Sequence, residues 1–204
     1  MRSLRSWVGW IAVVGISTGC TSAKRTAESA LAQADSALMV VTPEATAIVP
    51  EQLGPVTARL STARSAFEQA DYEAAVAGAR DVQEMVARIQ DSIPVKRNAL
   101  KQDLDTLAVY MPKNLEAIKE KIDQADRTRR PPRGMTPEKY AEVKEIYASA
   151  SRDWPSVDST VRAGDVGAAF AKAIQIRNRV SEALLALGLA ADQRAWGNLQ
   201  VQPR

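Results

Sequence analysis

The sequence of 204 residues predicts an all-α fold, an elongated antiparallel helical bundle or set of hairpins of about six helices. Three observations carry this. Apolar residues recur at spacings of three and four nearly everywhere, which is the period of a helix face. Alanine is abundant, while aromatics make up 5% of the chain and glycines number 10, a composition that favours packed helices over a β-sandwich. The short stretches between apolar runs carry Asp, Gly and Pro where helices start and stop, and short turns make sequential helices antiparallel neighbours.

The elements follow in order. Ala27, Leu31, Ala34, Leu38 and Val41 step by four and three and predict a first helix over 24–40. Residues 42–50, which hold Pro43 and Pro50, read as a connector. Leu53, Val56, Leu60, Ala63, Phe67 and Ala70 form one face of a second helix. Pro55 fits only in its first turn, where the missing N–H has no intrahelical acceptor.

Asp71 reads as an N-cap, its carboxylate accepting from the free amides of the next turn, and Glu73 suits the positive helix end. Tyr72, Val76, Ala79, Val82, Val86, Ile89 and Ile93 make a third stripe. Its phase continues through Leu100, Leu104, Leu107 and Met111, so 72–111 reads as one rod that Pro94 kinks or breaks near Gln90. Leu115, Ile118, Ile122 and Ala125 mark a fourth helix begun at Pro112.

Residues 127–136 form the clearest break. Thr136 caps the next helix, with Pro137 at its first position and Glu138 behind it. That helix carries Tyr140, Val143, Tyr147, Ala150, Trp154, Val157 and Val161, with a bend expected at Pro155. Gly164 ends it and Asp165 caps a last helix bearing Val166, Phe170, Ala173, Ile176, Val180, Leu184 and Leu187. Gly188 stops that helix, and Trp196 is the one docking candidate in the tail. The chain thus divides into a leader (1–19), a first helix and connector (20–50), a helical section (51–126), an Arg/Pro-rich linker (127–136), a helical hairpin (137–188) and a tail (189–204).

An internal echo runs through this plan. Residues 70–79 align with 164–173 at an offset of 94, with five of ten positions identical. Each copy reads as a helix, a tight Asp-capped turn and a second helix whose alanines permit close backbone approach. Phe67-x-x-Ala70-Asp71-Tyr72-x-x-Ala75 resembles half of a tetratricopeptide unit. The offset of 94 is not the period of about 34 residues of that solenoid. Any Ala-rich helical hairpin also converges on such a pattern.

At the N-terminus, Arg2 and Arg5 precede ten mostly apolar residues, Trp7 to Ile16, then the small Ser17-Thr18-Gly19 and the single cysteine, Cys20. This is the order of a secretory signal. Ten helical residues rise about 15 Å, half of a hydrocarbon core of about 30 Å, so a cleaved signal fits better than a span. Ile16-Ser17-Thr18-Gly19-Cys20 resembles the lipobox of bacterial lipoproteins, in which an apolar and two small residues precede the acylated cysteine. Ser17 stands where the family usually has leucine, and Ser17 with Gly19 also satisfies the small-x-small rule of ordinary signal peptidase.

The resemblance implies lipidation of Cys20 and a firm anchor through two or more acyl chains, facing the periplasm from a cell membrane or outer membrane. Ordinary cleavage implies secretion. Residues 50–89 are also similar to helical envelope lipoproteins with an Ala-rich hairpin and an Asp-Tyr turn, which implies location more than activity.

Charge and composition exclude more than they select. Arg2 and Arg5 are two of the 27 basic residues and no acid precedes Cys20, so the remainder holds 25 basic against 24 acidic residues. That balance is no nucleic-acid footprint, and no nucleic-acid partner is expected. With no histidine, the chain lacks His-bearing zinc sites, Ser-His-Asp and Cys-His activation and the Glu-x-x-His di-iron pattern. No phosphate-cradling glycine motif occurs. Neither a cofactor nor a metal is expected.

Arg127, Arg129, Arg130 and Arg133 place four guanidiniums within seven residues, a candidate clamp for polyanions such as lipid phosphates or anionic glycans. Against it stands a solvated linker partly balanced by Asp123 and Asp126. Tyr140, Tyr147 and Trp154 are spaced for stacking sugars, but they share a stripe with valines, which predicts core packing. Glu142 and Glu145 have the spacing of ordinary exposed helix charges. The expected function is a non-enzymatic, lipid-anchored envelope scaffold or adaptor for an envelope protein partner. The alternative is a polyanion- or glycan-binding module using the four arginines, and a glycan hydrolase ranks last.

Overall fold

A computed structural model of the protein describes residues 18–189, with side chains from Thr21 onward. The stretch before Thr18 that reads as a signal, the side chain of Cys20 and the tail beyond Leu189 with Trp196 lie outside the described residues. Among those residues the fold is all-α: α1 (Thr18–Ile48), a 3-10 turn (Pro50–Gln52), α2 (Leu53–Glu68), α3 (Tyr72–Thr128), α4 (Pro137–Asp153), α5 (Pro155–Arg162) and α6 (Val166–Ala186). Since Trp154 alone separates α4 from α5, the two also count as one interrupted helix, which makes five.

The all-α class holds among the described residues with five helices, or six with the interruption counted, against about six expected, but the prolines divide the chain differently. Residues 42–48 are not a connector, because α1 runs through Pro43 to Ile48. Pro94 does not end the third helix and Pro112 does not begin a fourth, because α3 runs unbroken through both. An interior proline costs about 3 kcal/mol, through one lost hydrogen bond and a ring clash. Around Pro43, however, Val41, Ala45, Ile48 and Val49 are buried, and Ile89, Ile93, Leu100, Leu107, Met111 and Ile118 are buried around the other two. Each large side chain among them contributes about 1.5–3 kcal/mol by leaving water, so keeping the stripe in phase outweighs the proline. Pro155 does interrupt the helix, as expected. Ser156 Oγ donates to the Asp153 carbonyl and Thr160 Oγ1 to the Ser156 carbonyl, taking up backbone acceptors at the break.

The chain forms two compact units. The first takes α1 as far as Val41 together with Leu53–Arg88. Ala27, Leu31 and Ala34 of α1, Val56, Leu60 and Ala63 of α2, and Ala75, Ala79 and Val82 of α3 are its buried residues. Asp35 pairs with Arg64, tying α1 to α2, and Arg59 pairs with Asp81, tying α2 to α3. The absence of a side chain at Gly78 lets α3 lie against α2, since a Cβ there would stand 2.7 Å from that of Ala63.

The second unit takes Thr42–Gln52 and the chain from Ile89 on, so the 127–136 break lies inside it. Val143, Ile146 and Ala150 of α4, Val157 of α5 and Val166, Ala169, Ala173, Val180 and Leu184 of α6 are buried there. Glu44 of α1 pairs with Arg97 of α3, and the Ala47 backbone touches α6 at Gly167.

The echo is structural as well as sequential. Before each cap the chain turns left-handed, at Ala70 (φ 61°) and Gly164 (φ 89°). The following amide reaches back five residues, from Asp71 to the Ala66 carbonyl and from Asp165 to that of Thr160, which closes a Schellman turn. Asp71 then accepts from the Ala74 amide at 3.0 Å and Asp165 from the Ala168 amide at 2.9 Å. Ala75 and Ala79 match Ala169 and Ala173, all fully buried.

Candidate functional site

The second unit carries a groove of about 610 Å³ between α3 and α5, within the size range of small-ligand and peptide sites. Its floor is apolar, with Leu104 and Val157 buried and Ala108 and Val161 on the walls. Trp154, half-buried, lines the groove beside Pro155. Lys101 and Asp105 line the α3 side and Asp158 the α5 side. Asp158 is paired with Arg162 one turn on. Trp154 is therefore a groove residue and not a core residue. Tyr140 and Tyr147 do not line the groove, and both are half-buried.

The arginine loop is built by the end of α3. Arg129 takes the left-handed conformation (φ 54°), and the Arg130 amide reaches back to the Ala125 carbonyl, so the chain leaves the helix by a Schellman turn. A second turn follows, in which the Met135 amide donates to the Pro132 carbonyl across Gly134 (φ 81°). Arg127, Arg129, Arg130 and Arg133 are all exposed.

The acids expected to balance the loop are engaged elsewhere. Asp123 accepts from Lys119 at 2.7 Å. Asp126 lies 2.8 Å from both Lys144 Nζ and the Tyr140 hydroxyl, which also sits 3.1 Å from the Ile122 carbonyl. Hydrogen bonds from Lys144 and Tyr140 hold the Asp126 carboxyl below its ordinary range. Burial, then the bond to Asp126, pushes the Tyr140 phenol up to about 12. None of the four loop arginines has a carboxylate within ion-pair distance among the described residues. Their charge is thus less compensated than the neighbouring acids in the sequence suggest.

The remaining candidates fall apart spatially. Glu142 pairs with Lys139 at 2.8 Å, and neither it nor Glu145, both exposed on α4, lines the groove. Cys20 lies in the first turn of α1, five residues before Arg25. Among the described residues there is no cluster of three or more acids and thiols placed to hold a metal. No helix there is long and apolar enough to cross a membrane. Sequence reasoning missed the α3 wall of the groove. Its only local trace is the pair Lys101 and Asp105 on either side of buried Leu104, a pattern common on any exposed helix.

No family model, curated protein or solved structure matches this chain.

Proposed function

We propose that the protein is a lipid-anchored, non-enzymatic scaffold of a bacterial cell envelope, which docks a segment of another envelope protein in the groove between α3 and α5. The observation that carries this reading is the groove itself. Its apolar floor at Leu104 and Val157 is bordered by Trp154 and rimmed by charges of both signs, Lys101, Asp105 and Asp158. Apolar anchoring with a polar rim is the anatomy of a docking surface, and a partly exposed indole is a common energetic centre of one. The leader, the lipobox-like run to Cys20 and the absence of histidine support the address and the non-enzymatic role.

A photocrosslinking residue placed at Ala108 in the full chain, expressed in its native envelope, tests the reading. One discrete product is expected, lost with Val161→Glu and absent when the crosslinker replaces Lys172 on α6. No product, or the same products from both positions, would count against docking. The mass of the amino-terminal peptide reports acylation of Cys20.

The second reading, polyanion binding at Arg127, Arg129, Arg130 and Arg133, is favoured by the engagement of Asp123 and Asp126 with Lys119 and Lys144. Such binding should weaken steeply with salt and disappear when the four arginines become glutamine.

A further inference from the structure

The first unit carries a different surface, a groove of about 430 Å³, as polar as it is apolar, between residues 25–33 of α1 and 76–83 of α3. Arg25 and Arg80, 55 residues apart in the chain, both line it. The other polar groups on its walls belong to Thr26, Ser29, Gln33 and Gln83, and none is a carboxylate. Two internal bonds order these walls: Thr26 Oγ1 donates to the Ser22 carbonyl at 3.0 Å and Gln33 Nε2 to Ser29 Oγ at 3.2 Å.

Of the neighbouring acids, Asp81 accepts from Arg59, and Glu28 and Glu84 lie 3.9 and 4.0 Å from Lys24 and Arg88 on their own helices. An adjoining hollow shares Thr26, Val76 and Arg80 and carries one carboxylate, Glu73. Neither Arg25 nor Arg80 has a carboxylate within ion-pair distance among the described residues.

Two guanidiniums lining one cleft, together with the Ser29 hydroxyl and the Gln83 amide, which donate to neither of those internal bonds, match the oxygens of a phosphate. Arg25 lies five residues after Cys20 on the same helix, about 7.5 Å along its axis, so an acyl chain on Cys20 brings this cleft to the headgroup layer. We infer that the α1–α3 groove of the first unit binds the phosphate of an anionic phospholipid headgroup through Arg25 and Arg80. The inference takes the nearness of a membrane from the lipid-anchor reading, and the cleft chemistry is independent of that reading.

The test uses the full chain purified from its native envelope in a nonionic detergent, titrated with phosphatidylglycerol and separately with inorganic phosphate. Each cation at an anionic lipid surface is worth roughly fivefold in binding, so Arg25→Gln with Arg80→Gln should weaken phosphatidylglycerol binding by about 25-fold. Lys24→Gln with Arg88→Gln removes the same charge from cations that do not line the groove, and should retain at least half of the binding. Circular dichroism of each variant checks that the helices remain.

Unchanged binding in the Arg25/Arg80 variant would overturn the inference. So would equal loss in the Lys24/Arg88 control, which would make net charge the cause. Inorganic phosphate binding as tightly as the lipid would overturn the headgroup as the source. The amino-terminal peptide mass from the same sample reports acylation separately. An unacylated chain that still bound phosphatidylglycerol through Arg25 and Arg80 would lose the anchor and keep the groove.

Discussion

Replacing Gly167 by alanine sets two rules against each other, and the structure decides the sign. In a helix, alanine is favoured over glycine by up to about 1 kcal/mol. A Cβ at Gly167, however, would stand 2.0 Å from the carbonyl oxygen of Ala47, a backbone atom that cannot rotate away. Real Cβ atoms essentially never come closer than 3.0 Å, so α6 and the last turn of α1 must separate by at least 1.0 Å. Ala45, Ile48, Val166 and Ala169 are buried in those turns, and separating them opens gaps between close-packed atoms. A clash of this depth with backbone belongs at the upper end of the overpacking range, about 3 kcal/mol, so less the propensity gain of about 1 kcal/mol Gly167→Ala should be destabilising by a net of about 2 kcal/mol. For a urea slope of about 2 kcal/mol/M, the midpoint followed by circular dichroism should fall by about 1 M.

Two other glycines calibrate the result. No atom lies within 4 Å of a Cβ built at Gly54, so Gly54→Ala should raise the midpoint. Gly78→Ala should fall between the two, because its Cβ would meet the Ala63 methyl at 2.7 Å, and adding Ala63→Gly should restore most of the loss. A midpoint for Gly167→Ala that rises alongside Gly54→Ala would refute the reasoning.

Two further predictions are independent of that contact. Ala70 holds φ 61°, a conformation that costs an L-residue about 1–2 kcal/mol, and the equivalent position of the echo is Gly164. Ala70→Gly should therefore stabilise by about 0.5–1 kcal/mol after the added freedom of the unfolded chain is counted, measured as a higher urea midpoint. Burial raises the Asp103 carboxyl above its ordinary range, against a smaller opposing effect of Lys96. The folded state therefore favours the protonated form, and the stability this gives is complete below the unfolded value of about 4 and is lost as pH rises through the folded value. Asp103→Asn should accordingly raise the midpoint at pH 7 and lose that advantage as the pH falls below about 4.

Local patterns were legible in the sequence, and their limits fall where distant residues act. Stripes, caps and stops at Asp71, Thr136, Pro137, Gly164, Asp165 and Gly188 depend on neighbours a few residues away, and the structure places them as expected. The effect of Pro43, Pro94 and Pro112 depends on what the flanking stripe buries, and that is decided by other helices.

The same holds for the candidate sites. The electrostatics of the arginine loop could not be read from Asp123 and Asp126 alone, because Lys144 and Tyr140 come from beyond the break to engage Asp126. The α3–α5 groove was invisible because it joins Leu104 to Val157, 53 residues later. Trp154, on the predicted core stripe, is half-buried and lines the groove, a placement decided by α3 and not by its own neighbours.

The Trp154 indole also gives the protein a built-in optical gauge. Of the four tryptophans, Trp7 and Trp10 lie in the stretch that reads as a leader and Trp196 in the tail, which leaves Trp154 on the wall of the cleft. In a processed chain carrying Trp196→Phe, every emitted photon from tryptophan reports the wetness of that one cleft. An occupant that expels water should shift the emission to the blue, without dye or tag.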